Sequence, residues 1–69
     1  MKNAIEILIS APDAQVNRCQ MAYKAIAAGR WDDAELWLSN ASAEESGEWA
    51  AEAGELADHC AKMSCKRYL

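Results

Sequence analysis

The sequence predicts an all-α fold: a small antiparallel bundle of three main helices, with a short fourth at the N-terminus. Three observations predict it. Alanine, Glu, Leu, Lys, Gln and Met dominate the composition, and all favour helix. β-formers are scarce, with one Val, no Thr and no Phe. Helix start and stop signals recur along the chain at helical, not strand, intervals. At 69 residues the chain is a single domain, residues 1–69. A domain of this size buries only about 60% of its unfolded surface.

The first element is the least decided. Asn3 with Glu6 three residues on reads as a capping box, and Ile5, Leu8 and Ile9 then share a helical face. The alternation Ile5, Ile7, Ile9 equally suits a strand. No second strand exists to pair with it, which favours a helical turn. Ser10 to Asp13 then reads as the start of a helix over 11–28, with Pro12 tolerated in its first turn. Val16, Cys19, Tyr23 and Ile26 supply its apolar stripe, and Gly29 its stop.

Asp32 and Glu35 form a second capping box, with Trp31 and Leu36 as a hydrophobic staple, opening a helix over 33–41. Ser42 and Glu45 form a third, opening a helix over 43–66. Trp49, Ala53, Leu56, Cys60 and Met63 repeat along it with spacing four, three, four, three, a heptad-like seam. Beside the seam runs a row of small residues: Gly47, Ala50, Gly54, Ala57 and Ala61. Glycine inside a helix costs about 1 kcal/mol relative to alanine, so the row implies close approach of another helix. Trp31, Trp37 and Trp49 read as core residues. Tyr68 and Leu69 either dock back or meet a partner.

The stretch from Met21 to Ala41, MAYKAIAAGRWDDAELWLSNA, resembles a tetratricopeptide repeat. The resemblance lies in Ala22 in the first helix, the turn Gly29-x-Trp31, Ala34 opening the second helix, the bulky Leu38 and the small Ala41. It covers less than one full repeat. The proline after the second helix is missing, the next helix begins too soon and Trp49 falls out of register. The resemblance implies a helical hairpin that binds peptides or proteins.

Charge is segregated along the chain. Between Asp32 and Asp58 there are nine acids (Asp32, Asp33, Glu35, Glu44, Glu45, Glu48, Glu52, Glu55, Asp58) and no Lys or Arg, a formal charge of −9. Residues 1–31 carry +2 and residues 59–69 carry +3, giving −4 for the chain. On a helix over 43–66, Glu44, Glu48, Glu52 and Glu55 fall along one side. Like charges at i,i+4 destabilise a helix slightly. Those nearest the N-terminus suit the helix dipole, whereas Glu52 and Glu55 have no such explanation. A solvated face that confers solubility accounts for this as readily as a face that meets a basic surface. The interaction reading assigns partner contact to Glu44, Glu45, Glu48, Glu52 and Glu55, with Asp32 and Asp33 next. Direct nucleic-acid binding is disfavoured because carboxylates repel phosphate.

Catalytic and metal chemistry find little support in the residues. His59 and Cys60 are adjacent and diverge by about 100° on a helix, so they do not align as base and nucleophile. Cys60 and Cys65 lie about 140° apart on the same helix, and only Cys19 adds a further thiolate, short of a four-ligand zinc site. No phosphate-binding glycine loop, no Ser/His/Asp set and no HExxH motif occurs. The expectation is a non-enzyme without metal or cofactor. Three cysteines do not form a disulfide framework, and the opening residues lack the form of a secretion signal or a membrane span. A cytoplasmic, reduced setting follows.

The function expected is a protein–protein interaction module offering an acidic helical face to a basic surface of a protein partner. Anti-CRISPR proteins are similar in type, being tiny, often acidic and without catalytic residues, which suggests a phage or mobile-element inhibitor. The alternative is a self-assembling structural protein, a homodimer packed through Gly47, Ala50, Gly54 and Ala57.

Overall fold

The computed structural model describes residues 3–67, with side-chain surroundings through residue 65. Tyr68 and Leu69 lie outside the described residues. Four α-helices follow one another: α1 (Ala4–Ile9), α2 (Val16–Ala27), α3 (Trp31–Glu44) and α4 (Glu48–Arg67), with a 3-10 turn at Asp13–Gln15 leading into α2. No strand occurs among the described residues. The fold is the small all-α bundle expected from composition. α3 packs most extensively on α4 and next on α2, and α1 lies against α2 and α4. At 20 residues α4 is about 30 Å long, most of the 35 Å long axis of the molecule.

The N-terminal segment is helical. Asn3 Oδ1 accepts from the Glu6 amide at 2.9 Å, and its side-chain amide donates to Glu6 Oε1 at 3.3 Å. Its buried face differs from the one expected. Ile7 and Leu8 enter the core, while Ile5 and Ile9 stand exposed. Only one side of a six-residue helix can meet α2 and α4, and Ala4 and Ala11 complete that side.

Helix α2 starts later than the expected 11–28. Pro12 is extended, the chain makes the 3-10 turn, and α-geometry begins at Val16. Its stripe is rotated by about one residue: Cys19, Ala22 and Ala25 are buried, whereas Val16 and Tyr23 are exposed. The cause lies in α3, which presents Ala34, Leu38 and Ala41 to the core. Alanine against alanine brings the helix axes close and leaves no space for the Tyr23 ring. Gly29 stops α2 as expected, at φ +75. The Arg30 amide donates to the Ala25 carbonyl at 2.8 Å and the Gly29 amide to that of Ile26 at 3.0 Å. This pair of bonds is a Schellman closure, which needs the left-handed conformation glycine adopts without cost.

Two capping boxes are corrected. α3 begins at Trp31, one residue before Asp32, so Asp32 and Glu35 both lie inside the helix. Leu36 is exposed, and no staple forms with Trp31. Trp31 instead packs against the core and meets His59 edge-on, with ring centroids 6.1 Å apart. α3 also runs through Ser42 to Glu44, well past the expected end at 41, and α4 opens only at Glu48. The break falls at Glu45 to Gly47, where Gly47 takes φ +90. Ser42 therefore caps nothing. Its hydroxyl donates across to the Ala50 carbonyl at 2.7 Å and ties α3 to the first turn of α4.

The small-residue row on α4 lies in part against the chain itself. Gly47 lies outside the helix. Ala50 and Ala57 are buried within the chain, and a Cβ at Gly54 would stand 3.2 Å from Ser42 Oγ. Gly54 thus faces α3, which ends beyond Ser42. The heptad-like seam stands as read, with Ala53, Leu56 and Cys60 buried and Trp49 and Met63 half-buried.

Candidate functional site

The nine acids between Asp32 and Asp58 divide by position. Glu44 ends α3, at the negative pole of that helix, where a carboxylate is disfavoured. One cation and one neutral amide offset this. Arg18 Nη2 lies 2.6 Å from Glu44 Oε2, and Gln15 Nε2 donates to Glu44 Oε1 at 3.3 Å. The Arg18 hydrogen bond, and then that of Gln15, hold the Glu44 carboxyl below its usual range. Glu45 is half-buried, and its Oε2 accepts from Gln15 Nε2 at 2.9 Å. Gln15 itself is fully buried, its own Oε1 accepting from Arg18 Nη1 at 2.9 Å. Two of the acids expected on the contact face thus join a network between the start of α2 and the end of α3, Glu45 from a half-buried position and Glu44 from an exposed one.

This network was missed in the sequence, although a signal existed. Gln15, Cys19, Ala22 and Ile26 are spaced four, three and four, so a polar side chain heads the true inward stripe. A buried amide at such a position needs partners on both its oxygen and its nitrogen. Arg18 and the two glutamates supply them.

Three other acids stand in local pairs or near the core. Asp33 Oδ2 lies 3.3 Å from Arg30 Nε, and Asp58 Oδ2 lies 3.4 Å from Lys62 Nζ, both pairs exposed. Exposed pairs of this kind contribute about 0–1 kcal/mol each and are easily exchanged for a partner's charge. Glu35 is half-buried, and its charge adds to burial in pushing the Cys60 thiol up to about 11.

What remains is a row on α4 and one acid on α3. Glu48, Glu52 and Glu55 stand at i, i+4 and i+7 along one side of α4. Glu48 and Glu55 are exposed and Glu52 is half-buried. Glu48 opens the helix, where a carboxylate suits the dipole; Glu55 sits mid-helix. Neither Glu48 nor Glu55 forms an ion pair among the described residues. Asp32 is exposed in the first turn of α3.

The groups with catalytic or metal-binding chemistry are dispersed. His59 is exposed and Cys60 is fully buried, on different sides of α4. Burial raises the Cys19 thiol as well, and Cys65 is exposed. Among the described residues no group of three or more His, Cys, Asp or Glu is placed to hold a metal ion. No helix among them is long and apolar enough to cross a membrane. Comparison with known families, with curated proteins and with solved structures finds no match to this chain.

Proposed function

We propose that this protein is a non-catalytic interaction module that offers the Glu48, Glu52 and Glu55 side of α4, with Asp32 next, to a basic surface of a protein partner. The observation that carries the reading is charge segregation that outlasts folding. Nine acids fall within 27 residues without one Lys or Arg; Arg18, Arg30 and Lys62 pair with Glu44, Asp33 and Asp58 on folding, while Glu48 and Glu55 stay exposed without an ion pair among the described residues. Uncompensated surface charge of one sign steers association and suppresses wrong partners. The α2–α3 hairpin, whose turn residues carry the likeness to a tetratricopeptide repeat, supports the same class of function as a rigid scaffold. Phosphate-bearing partners are disfavoured by the same charge.

Affinity capture from a cell lysate at low and high salt tests this. The expected result is a partner with a basic surface whose capture weakens as salt rises. It is lost when Glu48, Glu52 and Glu55 are all replaced by Lys, while helical circular dichroism is retained. Capture that ignores both salt and charge reversal removes the reading. The narrower form, an inhibitor of the anti-CRISPR type from a phage or mobile element, demands more: the captured partner binds nucleic acid, and nucleic acid competes for capture.

A further inference from the structure

The acidic row of α4 ends on a groove. Between α1 and α4 lies an open depression of about 510 Å³. Ala4, Ile7 and Leu56 line it with apolar surface, and Glu55, His59 and the Asp58–Lys62 pair are its polar members. The volume falls in the range that accepts a large side chain or a small ligand. Its two walls are held together, because the Trp49 indole donates to the Ile7 carbonyl at 2.9 Å and so fastens α1 to α4. Glu55 belongs to both features: it lines the groove and is the third member of the row. A second depression, between α1 and α2, has no charged residue in its lining and so gives no indication of what would cover it.

We infer that the groove between α1 and α4 receives an apolar anchor side chain from a cationic amphipathic segment of a protein partner, whose Lys or Arg residues lie against the exposed Glu55 and Glu48. This rests on the acidic-face reading and adds the anchor to it. The complementarity is geometric as well as electrostatic. Glu48 and Glu55 lie about 10 Å apart along α4, two helical turns, which matches cations at i and i+7 of a docked helix. An apolar anchor seated in a pocket, with charges around it, is the usual distribution of energy in such contacts.

A display library of random short peptides, selected on the intact protein at low salt, tests the inference. Selected peptides are expected to combine an apolar residue with one Lys or Arg beside it and another two helical turns away. Amide NMR shifts on binding are expected at Ala4, Ile7, Leu56 and His59. Ala4→Phe, which fills the groove from its half-exposed edge, and Glu55→Lys are each expected to weaken binding about tenfold. If Ala4→Phe proves unfolded, the shift map on the unaltered protein decides alone. Cationic peptides that lack an apolar anchor and shift residues away from the groove overturn the groove while leaving the acidic face standing. Selection without cationic bias, or no selection at all, overturns both. Sedimentation showing a dimer with the groove at its interface assigns the surface to a second copy and also overturns the inference.

Discussion

Trp49 Nε1 donates a 2.9 Å hydrogen bond to the main-chain carbonyl of Ile7, joining residues 42 apart in the chain. It is a polar link between α4 and the first helix. The Ser10 hydroxyl shares the same acceptor at 3.2 Å.

Trp49→Phe keeps most of the ring's packing and removes only this bond. A cost of about 1 kcal/mol is expected, measured as a shift in the urea midpoint without a change in slope. Hydrogen exchange should localise the loss, with the amides of α1 exchanging faster and those of α3 unchanged. Uniform acceleration across all four helices would contradict the assigned role.

Gly54 and Ser42 should be coupled. Alanine at Gly54 gains about 1 kcal/mol of helix propensity. Its Cβ, however, meets Ser42 Oγ at 3.2 Å, and that hydroxyl is held by its 2.7 Å bond to the Ala50 carbonyl. Gly54→Ala is therefore expected to stabilise more in a Ser42→Ala background than alone. A double-mutant cycle by thermal or urea unfolding measures the difference. Additive effects would mean that the hydroxyl yields freely.

Stability should decline in acid through Glu44. Its carboxyl is held below the ordinary value of 4.5, first by the Arg18 hydrogen bond and then by Gln15. A depressed folded-state pKa gives stability that is present above the unfolded value and is lost as pH falls through the folded one. Arg18 is raised from an already high value and stays charged throughout. Between neutral pH and a pH below 4.5, the fall in Tm should be smaller in Glu44→Gln than in the unaltered protein. An equal fall in both would remove Glu44 from the acid response.

The three thiols should separate by reactivity. Cys65 is exposed, whereas Cys19 and Cys60 are buried and burial raises both, Cys60 to about 11. Because the thiolate is the reacting species, a thiol reagent near neutral pH should modify Cys65 first. The other two should follow only as the chain unfolds. Mass spectrometry of partially labelled protein checks the order.

Much of the fold was legible because periodicity carries it. The seam on α4 depends only on the spacing of Trp49, Ala53, Leu56, Cys60 and Met63, and Gly29 could end α2 only by its backbone freedom. The boundaries were harder. Ser42 followed by Glu45 has the composition of a capping box, but tertiary contact prevailed: Ser42 is better placed bonding Ala50 across the α3–α4 interface, and Gly47 makes the turn. The candidate site was half legible. Sequence locates the acids, but which of them gain partners within the chain depends on Arg18 and Gln15, 26 and 29 residues from Glu44, and no local pattern joins them.

The interior of this bundle is lined largely by alanine, with Ala22, Ala25, Ala34, Ala41 and Ala53 all essentially inaccessible. Methyl groups have no rotamers to freeze, so these contacts form without side-chain entropy loss. They also leave no slack. In most proteins the damaging core substitution is the one that shrinks a residue; here it is the one that enlarges it, since a single added branch must push two helices apart. A complete substitution scan should therefore find its most intolerant positions at the smallest side chains. Drift in this chain is bounded by how little volume those sites can admit.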